Sequence, residues 1–325
     1  MMRRHASRLR QRGVALITAM FVVALAVIAG VAMFEASNLG VHRTANVTLT
    51  ESAWWYADGV ESWVKWILQQ DQKLNQTDSF ADIWAQPVPL LPIENGAIRG
   101  RVEDLQGRFN LTNLAVKNPQ QAALYQAQFQ RLIDNLPNFD ASRVSGVGAA
   151  VRQWMVGANA SGEFSGANDG DYLGLQPAYR SAQLPMASIS ELLLVKGVTK
   201  ELFAALKPYV AALPTSNTKI NVNTALEPVL MSLGGNIDKA KLQRFLEVRN
   251  KEPLKSTGDI IGGAELGFLP TAAGNLTTAN IDVASSYFEL QAEIAVGSSR
   301  IALYSVFYRP AGGVPVVIAH STDTE

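Results

Sequence analysis

One uncharged segment near the N-terminus constrains this chain more than any other feature. The 21 residues from Val14 to Phe34 carry no charged side chain, and about 20 apolar residues in a helix span the hydrocarbon core of a bilayer. Glu35 directly follows the segment, whereas the first thirteen residues contain arginines and no acid. The positive-inside rule therefore predicts a single-pass membrane protein with its N-terminus in the cytoplasm and the bulk of the chain outside, which is the periplasm if the cell is Gram-negative. The arginines are Arg3, Arg4, Arg8, Arg10 and Arg12.

A secretory signal peptide is the first alternative, because it also begins with basic residues and continues with an apolar stretch. Its apolar region is shorter, however, and its small-residue cleavage site follows that region. Here the small residue, Gly13, lies before the apolar segment. A cut between Gly13 and Val14 would leave the membrane segment on the mature protein.

The overall composition argues against several classes of function. Lys plus Arg total 28 and Asp plus Glu total 28, so the balance gives no reason to expect a nucleic-acid partner. The chain has no cysteine, and none of its three histidines has a second histidine three or four residues away. It also lacks a G-x-S-x-G elbow and a Walker loop. These observations predict a protein that is not an enzyme.

The segment from Gln11 to Met20, QRGVALITAM, resembles the type III signal of prepilins and pseudopilins, which a prepilin peptidase cleaves after the glycine. Most of these proteins carry glutamate at the fifth mature position, where this chain has Thr18. The K subunit of type II secretion, the GspK family, typically lacks that glutamate. Three further stretches are similar to their GspK counterparts and follow in the same order: residues 103–111, 177–182 and 220–225.

The resemblance implies a function in assembly. A GspK-like chain would be a minor pseudopilin at the tip of the pseudopilus, in the machinery that exports folded proteins from the periplasm across the outer membrane. It would bind the I and J minor pseudopilins and sit on the filament of major pseudopilin. In family members with the glutamate, that charge is thought to pair with the N-terminal amine of a neighbour. Thr18 cannot form this pair, and a subunit with no neighbour above it has no amine to receive.

The residues themselves predict an α+β fold. Val60, Val64, Ile67 and Leu68 recur at helical spacing in a segment without proline that reaches about Gln70. Strand patterns occur at residues 98–103 and 108–111, in a hairpin of residues 287–294 and 300–308, and at residues 314–319. The segment between these regions is mostly helical in pattern, for example from Gln120 to Leu136 and from Lys239 to Asn250. Four tryptophans near the end of the long helix are predicted to pack on the sheet rather than to form a membrane-interface belt, since Trp54 lies about 30 Å of helix beyond Phe34. They are Trp54, Trp55, Trp63 and Trp66.

We therefore expect a pilin-like long N-terminal helix packed on an antiparallel sheet, with a large inserted α-helical domain, which is also what the resemblance implies. The predicted divisions are a leader (1–13), a transmembrane segment (14–34), the first part of the pilin-like domain (35–114), the insertion (115–278) and the C-terminal strands (279–325).

A polar loop from Gly157 to Tyr172 is the candidate metal site. Its side-chain oxygens suit calcium, which prefers hard oxygen ligands, and the resemblance implies calcium in this region. Gln153, Val156 and Ala158 nevertheless stand near Trp154 where family members usually have aspartates. A plain polar loop therefore remains the alternative. The candidate ligands are Glu163, Asn168, Asp169 and Asp171.

Two other functions stay open at this point. One is a membrane protein whose N-terminus is never processed and whose periplasmic domain binds a ligand. The other is DNA binding or uptake through residues 190–225, which resemble a helix-hairpin-helix element with a turn at Gly197 and a helix N-cap at Asn223 or Thr224. Few basic residues accompany this element: Lys196, Lys200 and Lys207.

Overall fold

A computed structural model describes residues 12–157, 169–262, 265–269 and 280–322. Its first element is a single helix, α1 (Arg12–Leu74), of 63 residues, which is about 95 Å long at 1.5 Å per residue. The side chains from Val14 to Thr48 are exposed, and burial of α1 on the rest of the protein begins near Leu49. The helix thus extends from the predicted membrane segment into the folded body without a break.

Five of the nine strands found in the described residues form one sheet in the order β1-β2-β7-β8-β9, and every neighbouring pair is antiparallel. The predicted C-terminal hairpin is confirmed as β7 and β8, with Gly297 at φ +56° in the turn. The strands are β1 (Val88–Ile93), β2 (Gly96–Asp104), β3 (Phe109–Asn110), β4 (Val210–Ala211), β5 (Ile220–Asn221), β6 (Ile281–Asp282), β7 (Tyr287–Val296), β8 (Ser299–Tyr308) and β9 (Val316–Thr322).

The second half of α1 packs across β7 and β8. Residues of α1 at spacings of three, four and seven form its buried face, which includes Val64, Ile67 and Leu68, whose spacing predicts the helix. Ala53 and Ala57 continue this face, and because alanine is small the helix lies close to the sheet at that end. The sheet contributes large side chains to the same core: Ile98, Val102, Phe288, Leu290, Ile294, Leu303 and Phe307.

The predicted packing of the four tryptophans on the sheet is wrong. Trp54, Trp55, Trp63 and Trp66 are 41%, 76%, 44% and 57% exposed. The reason is that the alanine and aliphatic face of α1 already covers the sheet, which turns the indole rings away from it. A different tryptophan, Trp84, is 2% exposed and packs edge-on against Phe288 with 5.1 Å between ring centroids.

The segment between β2 and β7 folds around a second hydrophobic core, which extends from Phe109 to Val283. The predicted helices at Gln120–Leu136 and Lys239–Asn250 are confirmed as α2 and α7. Strand β1, by contrast, was not predicted. In the described part of this region the helices are α2 (Pro119–Asp134), α3 (Val147–Val156), α4 (Asp169–Leu173), α5 (Lys200–Leu206), α6 (Glu227–Ser232) and α7 (Lys239–Arg249), with several short 3-10 turns between them.

Two short parallel ladders lie where the chain enters and leaves this region. Strand β3 pairs with β4, and β5 pairs with β6. The predicted strand at residues 108–111 is thus only two residues long and does not join the main sheet. Asn110 ends it, because its side-chain oxygen accepts a hydrogen bond from the Thr112 amide and caps the 3-10 turn that follows.

Candidate functional site

The N-terminal half of α1 fits a single-pass membrane anchor. Among the residues that the structure describes, α1 is the one helix long and apolar enough to cross a membrane. None of its most apolar stretch is buried against the protein. Gly13 lies at the beginning of α1, next to the exposed Val14. Cleavage between these two residues stays a prediction.

Thr18 lies within the anchor, four residues from Val14. Its hydroxyl is 3.1 Å from the carbonyl oxygen of Val14 and 3.0 Å from that of Ala15, so it donates its hydrogen bond within its own helix. In lipid, each polar group must be satisfied internally because no water is available. Thr18 therefore needs no polar partner from a neighbouring chain.

Three of the exposed tryptophans share one side of α1. Trp55 and Trp66 are eleven residues apart, which is about 20° around a helix, and Trp63 lies within about 80° of Trp55. We call Trp55, Trp63 and Trp66 the tryptophan face. Large aromatic side chains left exposed together on a folded surface mark interaction sites, and tryptophan is enriched at the residues that dominate binding.

The predicted calcium residues are only partly covered by the structure, because Glu163 and Asn168 lie outside the described residues. Asp169 Oδ1 accepts hydrogen bonds from the Ser181 hydroxyl at 2.6 Å and the Ser181 amide at 3.2 Å. These bonds lower the pKa of Asp169. Asp171 Oδ1 is 2.7 Å from Lys196 Nζ. Both described carboxylates thus have protein partners, and calcium at this loop stays a prediction.

The region that resembles a helix-hairpin-helix uses its polar residues to hold its own fold. Gly197 has φ +87°, as expected for its turn. The predicted N-cap at Asn223 or Thr224 is wrong, since α6 begins at Glu227 after Leu226. Asn223 instead exchanges two 3.0 Å hydrogen bonds with the backbone of Leu254, from one buried loop to another. With Lys196 paired to Asp171, this region presents no cluster of free basic groups among the described residues.

The inserted region is joined to the sheet by a buried polar cluster, which we call the junction network. Asp104, the last residue of β2, accepts hydrogen bonds at its Oδ2 atom from Asn221 (2.9 Å), Thr224 (2.6 Å) and Ser285 (2.6 Å). Asn221 also donates to the backbone oxygen of Asp78 at 3.0 Å. Burial raises the pKa of Asp104, and the hydrogen bonds from Ser285 and Thr224 act against that rise. The network comprises Asp78, Asp104, Asn221, Thr224, Ser285 and Arg309.

Arg309, just after β8, supplies the positive charge of the junction network. It is 3% exposed, pairs with Asp71 at 3.1 Å and with Asp78, and donates to the Ser285 carbonyl at 2.7 Å. Its guanidinium also lies 4.6 Å from the ring centroid of Phe288. One side chain thus ties the end of α1, the loop after it and the sheet together. None of the six residues was identified as a site from the sequence, although four belong to the stretches that carried the resemblance or adjoin a predicted strand.

A cleft of about 750 Å³ lies beside the junction, between the sheet and the inserted region. Arg101, Glu103 and Tyr304 line its sheet side, and Ala204, Lys207 and Leu226 line the other. His42 and His320, the two histidines among the described residues, are exposed and lie outside the cleft. The cleft therefore brings no histidine to an acid or a nucleophile.

Comparison with known proteins matches almost the whole chain. Two family models described as "Type II secretion system (T2SS), protein K" match residues 107–215 and 220–282. The type II secretion system protein K of Aeromonas hydrophila is 32% identical over 92% of this chain and 93% of its own length. That of Pseudomonas aeruginosa is also 32% identical, over 95% of this chain and 92% of its own.

A solved structure supports the fold. The chain is similar to one in "The Crystal Structure of the GspK-GspI-GspJ complex from enterotoxigenic Escherichia coli Type 2 Secretion System", with a TM-score of 0.74 and 24% identity over 87% of this chain and 100% of that one. Together with the anchor helix, the sheet and the inserted region, these matches show that the chain belongs to the type II secretion system protein K family and is a minor pseudopilin of that system.

Proposed function

We propose that this chain caps the pseudopilus, as the tip subunit of a complex with the I and J minor pseudopilins. The proposal rests on the place where the inserted region attaches to the rest of the protein, at the end of α1 that lies away from the membrane segment. The membrane segment begins at Val14, whereas Asp71 and Asp78, which hold the junction network, lie at and beyond the opposite end of α1. A body of this size at the membrane-distal end of α1 occupies the space where the next pilin-type subunit would stack.

The residue at position 18 also supports a place at the tip of the pseudopilus. An unpaired carboxylate costs roughly 2.5–3.5 kcal/mol at the centre of a membrane helix on insertion scales, and at position 18, nearer the end of the apolar segment, it is less costly but still unfavourable. A tip subunit has no neighbour above it whose N-terminal amine could pair with such a charge. The Thr18 hydroxyl, which bonds within its own helix, avoids this cost.

The tryptophan face is the surface that we assign to the neighbouring minor pseudopilins. It lies on the side of α1 opposite to the sheet, and pilin-type subunits associate through their long helices. Gly59 lies between Trp55 and Trp63 and has no heavy atom within 4 Å of the position of an added Cβ. A reporter side chain fits there without disturbing the fold.

Crosslinking from this position tests the proposed function. The chain has no cysteine of its own, so Gly59→Cys introduces a single thiol. In cells that also make I, J and the major pseudopilin with matching cysteines, we expect crosslinks to I or J and few crosslinks between two copies of this chain. Glu247→Cys, on the exposed side of α7, is the control and should not crosslink to either. Abundant self-crosslinks would contradict a tip position.

Processing by prepilin peptidase is a separate expectation of the proposal. The mature protein should begin at Val14, with its N-terminus initially on the cytoplasmic side of the inner membrane, as N-terminal sequencing of the membrane fraction will show. Gly13→Val should leave the precursor uncut, because the bulky side chain replaces the small residue at the cleavage position. Gly30→Ala, in open space on the same helix, should be processed normally. A chain that keeps Met1 would instead favour an unprocessed membrane protein.

A further inference from the structure

Three acids outside the predicted calcium loop come together at the end of α1. One carboxylate oxygen from each of Asp71, Asp78 and Asp82 lies within 4.8 Å of the other two. We call them the acidic triad. Asp71 is in the last turn of α1, and the other two belong to the loop that follows. Asp71 and Asp78 are 7% and 1% exposed, while Asp82 is partly exposed.

The negative charge of the acidic triad exceeds the positive charge near it. Arg309 is the cation that pairs with these acids among the described residues. Asp104, which is buried, adds a fourth acid through the junction network. A charge that is taken out of water and left unpaired is strongly unfavourable.

One oxygen of the acidic triad has an unused capacity to bind. Asp78 Oδ2 accepts from the Ser285 amide at 2.7 Å and pairs with Arg309. Asp78 Oδ1 is buried and has no hydrogen-bond partner among the described residues. Buried polar atoms are nearly always satisfied in native proteins, and an exception points to a missing partner such as a bound ion.

The other oxygens of the acidic triad accept from protein donors, including Asp82 Oδ2, which accepts a hydrogen bond from the Ser79 amide at 2.6 Å. Arg309 contacts the Oδ2 atoms of Asp71 and Asp78. Asp71 Oδ1 and Asp82 Oδ1 both face the Asn75 side-chain amide, which donates to them at 3.1 Å and 3.3 Å. Asn75 is exposed, so this side of the triad is open to solvent and gives an ion access.

We infer that Asp71, Asp78 and Asp82 form a binding site for a hard divalent cation, with calcium as the ion that fits. Two ligands at about 2.4 Å from one ion lie no more than about 4.8 Å apart, as these oxygens do. All three side chains offer oxygen ligands, and neither histidine nor cysteine belongs to the cluster, so metals that prefer nitrogen or sulfur ligands, such as zinc and copper, are disfavoured. Calcium also tolerates irregular coordination, whereas magnesium demands near-octahedral geometry.

The site has a structural role by its location. The backbone oxygen of Asp78 accepts a hydrogen bond from the Asn221 side chain, and the Asp78 carboxylate accepts one from the Ser285 amide. A cation on the acidic triad would therefore fix the loop that supports the inserted region. The inference does not depend on the tip position, and it is tested on the isolated chain.

The test measures calcium binding and thermal unfolding of the full-length chain in detergent. Millimolar calcium should raise the melting temperature by roughly 5 °C relative to chelator, since a ligand that binds only the folded state stabilises it. Magnesium should raise it less. Asp82→Asn, which avoids the residues paired with Arg309, should weaken calcium binding at least about tenfold in isothermal titration.

Two further variants distinguish the acidic triad from the predicted calcium loop. Asn75→Asp adds a carboxylate next to Asp71 and Asp82, so it should lower the melting temperature in chelator and increase the gain on adding calcium. Asp169→Asn lies in the predicted calcium loop. In a chain that carries Asp169→Asn, Asp82→Asn should weaken calcium binding by the same factor as it does in the wild type. The inference is overturned if calcium has no effect on the wild type, or if Asp169→Asn abolishes binding while Asp82→Asn and Asn75→Asp leave it intact.

Discussion

Replacing Arg309 with methionine should destabilise the folded body by about 3–5 kcal/mol, because the substitution leaves Asp71 and Asp78 buried without their cation. The methionine fills much of the same volume, so the loss comes from charge rather than from a cavity. Domains of this kind unfold at a cost of about 5–15 kcal/mol in total. Urea denaturation of the full-length chain in detergent, followed by tryptophan fluorescence, measures the change.

Arg99→Met is the matched control for Arg309→Met. Arg99 pairs with Glu293 across β2 and β7, but the two side chains are 66% and 36% exposed. Exposed ion pairs contribute about 0–1 kcal/mol, so this variant should unfold nearly like the wild type. If Arg309→Met and Arg99→Met lower the free energy of unfolding by the same small amount, the junction does not depend on its buried charge.

Gly107→Ala should destabilise the protein by about 1–3 kcal/mol, the usual cost of overpacking. An added Cβ would lie 2.8 Å from the hydroxyl of Thr224 and 3.0 Å from its backbone carbon and oxygen. Thr224 cannot move away freely, because its hydroxyl donates to Asp104 at 2.6 Å. The contact therefore pushes the inserted region away from the end of β2.

Limited proteolysis and urea denaturation measure this second effect. We expect the inserted region of the Gly107→Ala chain to be cleaved faster than that of the wild type. Gly235→Ala is the control, since no heavy atom lies within 4 Å of its added Cβ, and surface changes of this kind shift stability by about 0.5 kcal/mol or less. Similar proteolysis of both variants would show that the close contact at Gly107 does not hold the junction.

Two of the three stretches that carried the family resemblance turn out to build the junction, and the third holds the predicted calcium loop. Asp104 and Gly107 come from residues 103–111, and Asn221 and Thr224 from residues 220–225. Ser181, from residues 177–182, binds Asp169. The hydrogen bonds that these residues form could not be predicted from the sequence, because their partners lie in other segments of the chain. Asp104 and Thr224, for example, are 120 positions apart.

Strand β1 and the tryptophans show the limits of local pattern in another way. Strand β1 contains two prolines, Pro89 and Pro92, which obscure a strand signal but are tolerated at the edge of a sheet. In the long helix, apolar residues occur on more than one side, so periodicity alone did not identify the buried side. Ala53 and Ala57 contact the sheet because they let the two backbones approach closely.

Contiguous residues encode, through hydropathy, periodicity or motif, the membrane anchor, the long helix, the C-terminal hairpin, the main helices of the insertion and the family, which is why these features could be predicted. The folded chain was needed to show which face of α1 is buried, that Arg309 meets Asp71 and Asp78, and that the acidic triad gathers beside them. These features depend on contacts between residues that are distant along the chain, such as Asp71 and Arg309, which are 238 positions apart, and no local pattern encodes which buried charges will face each other.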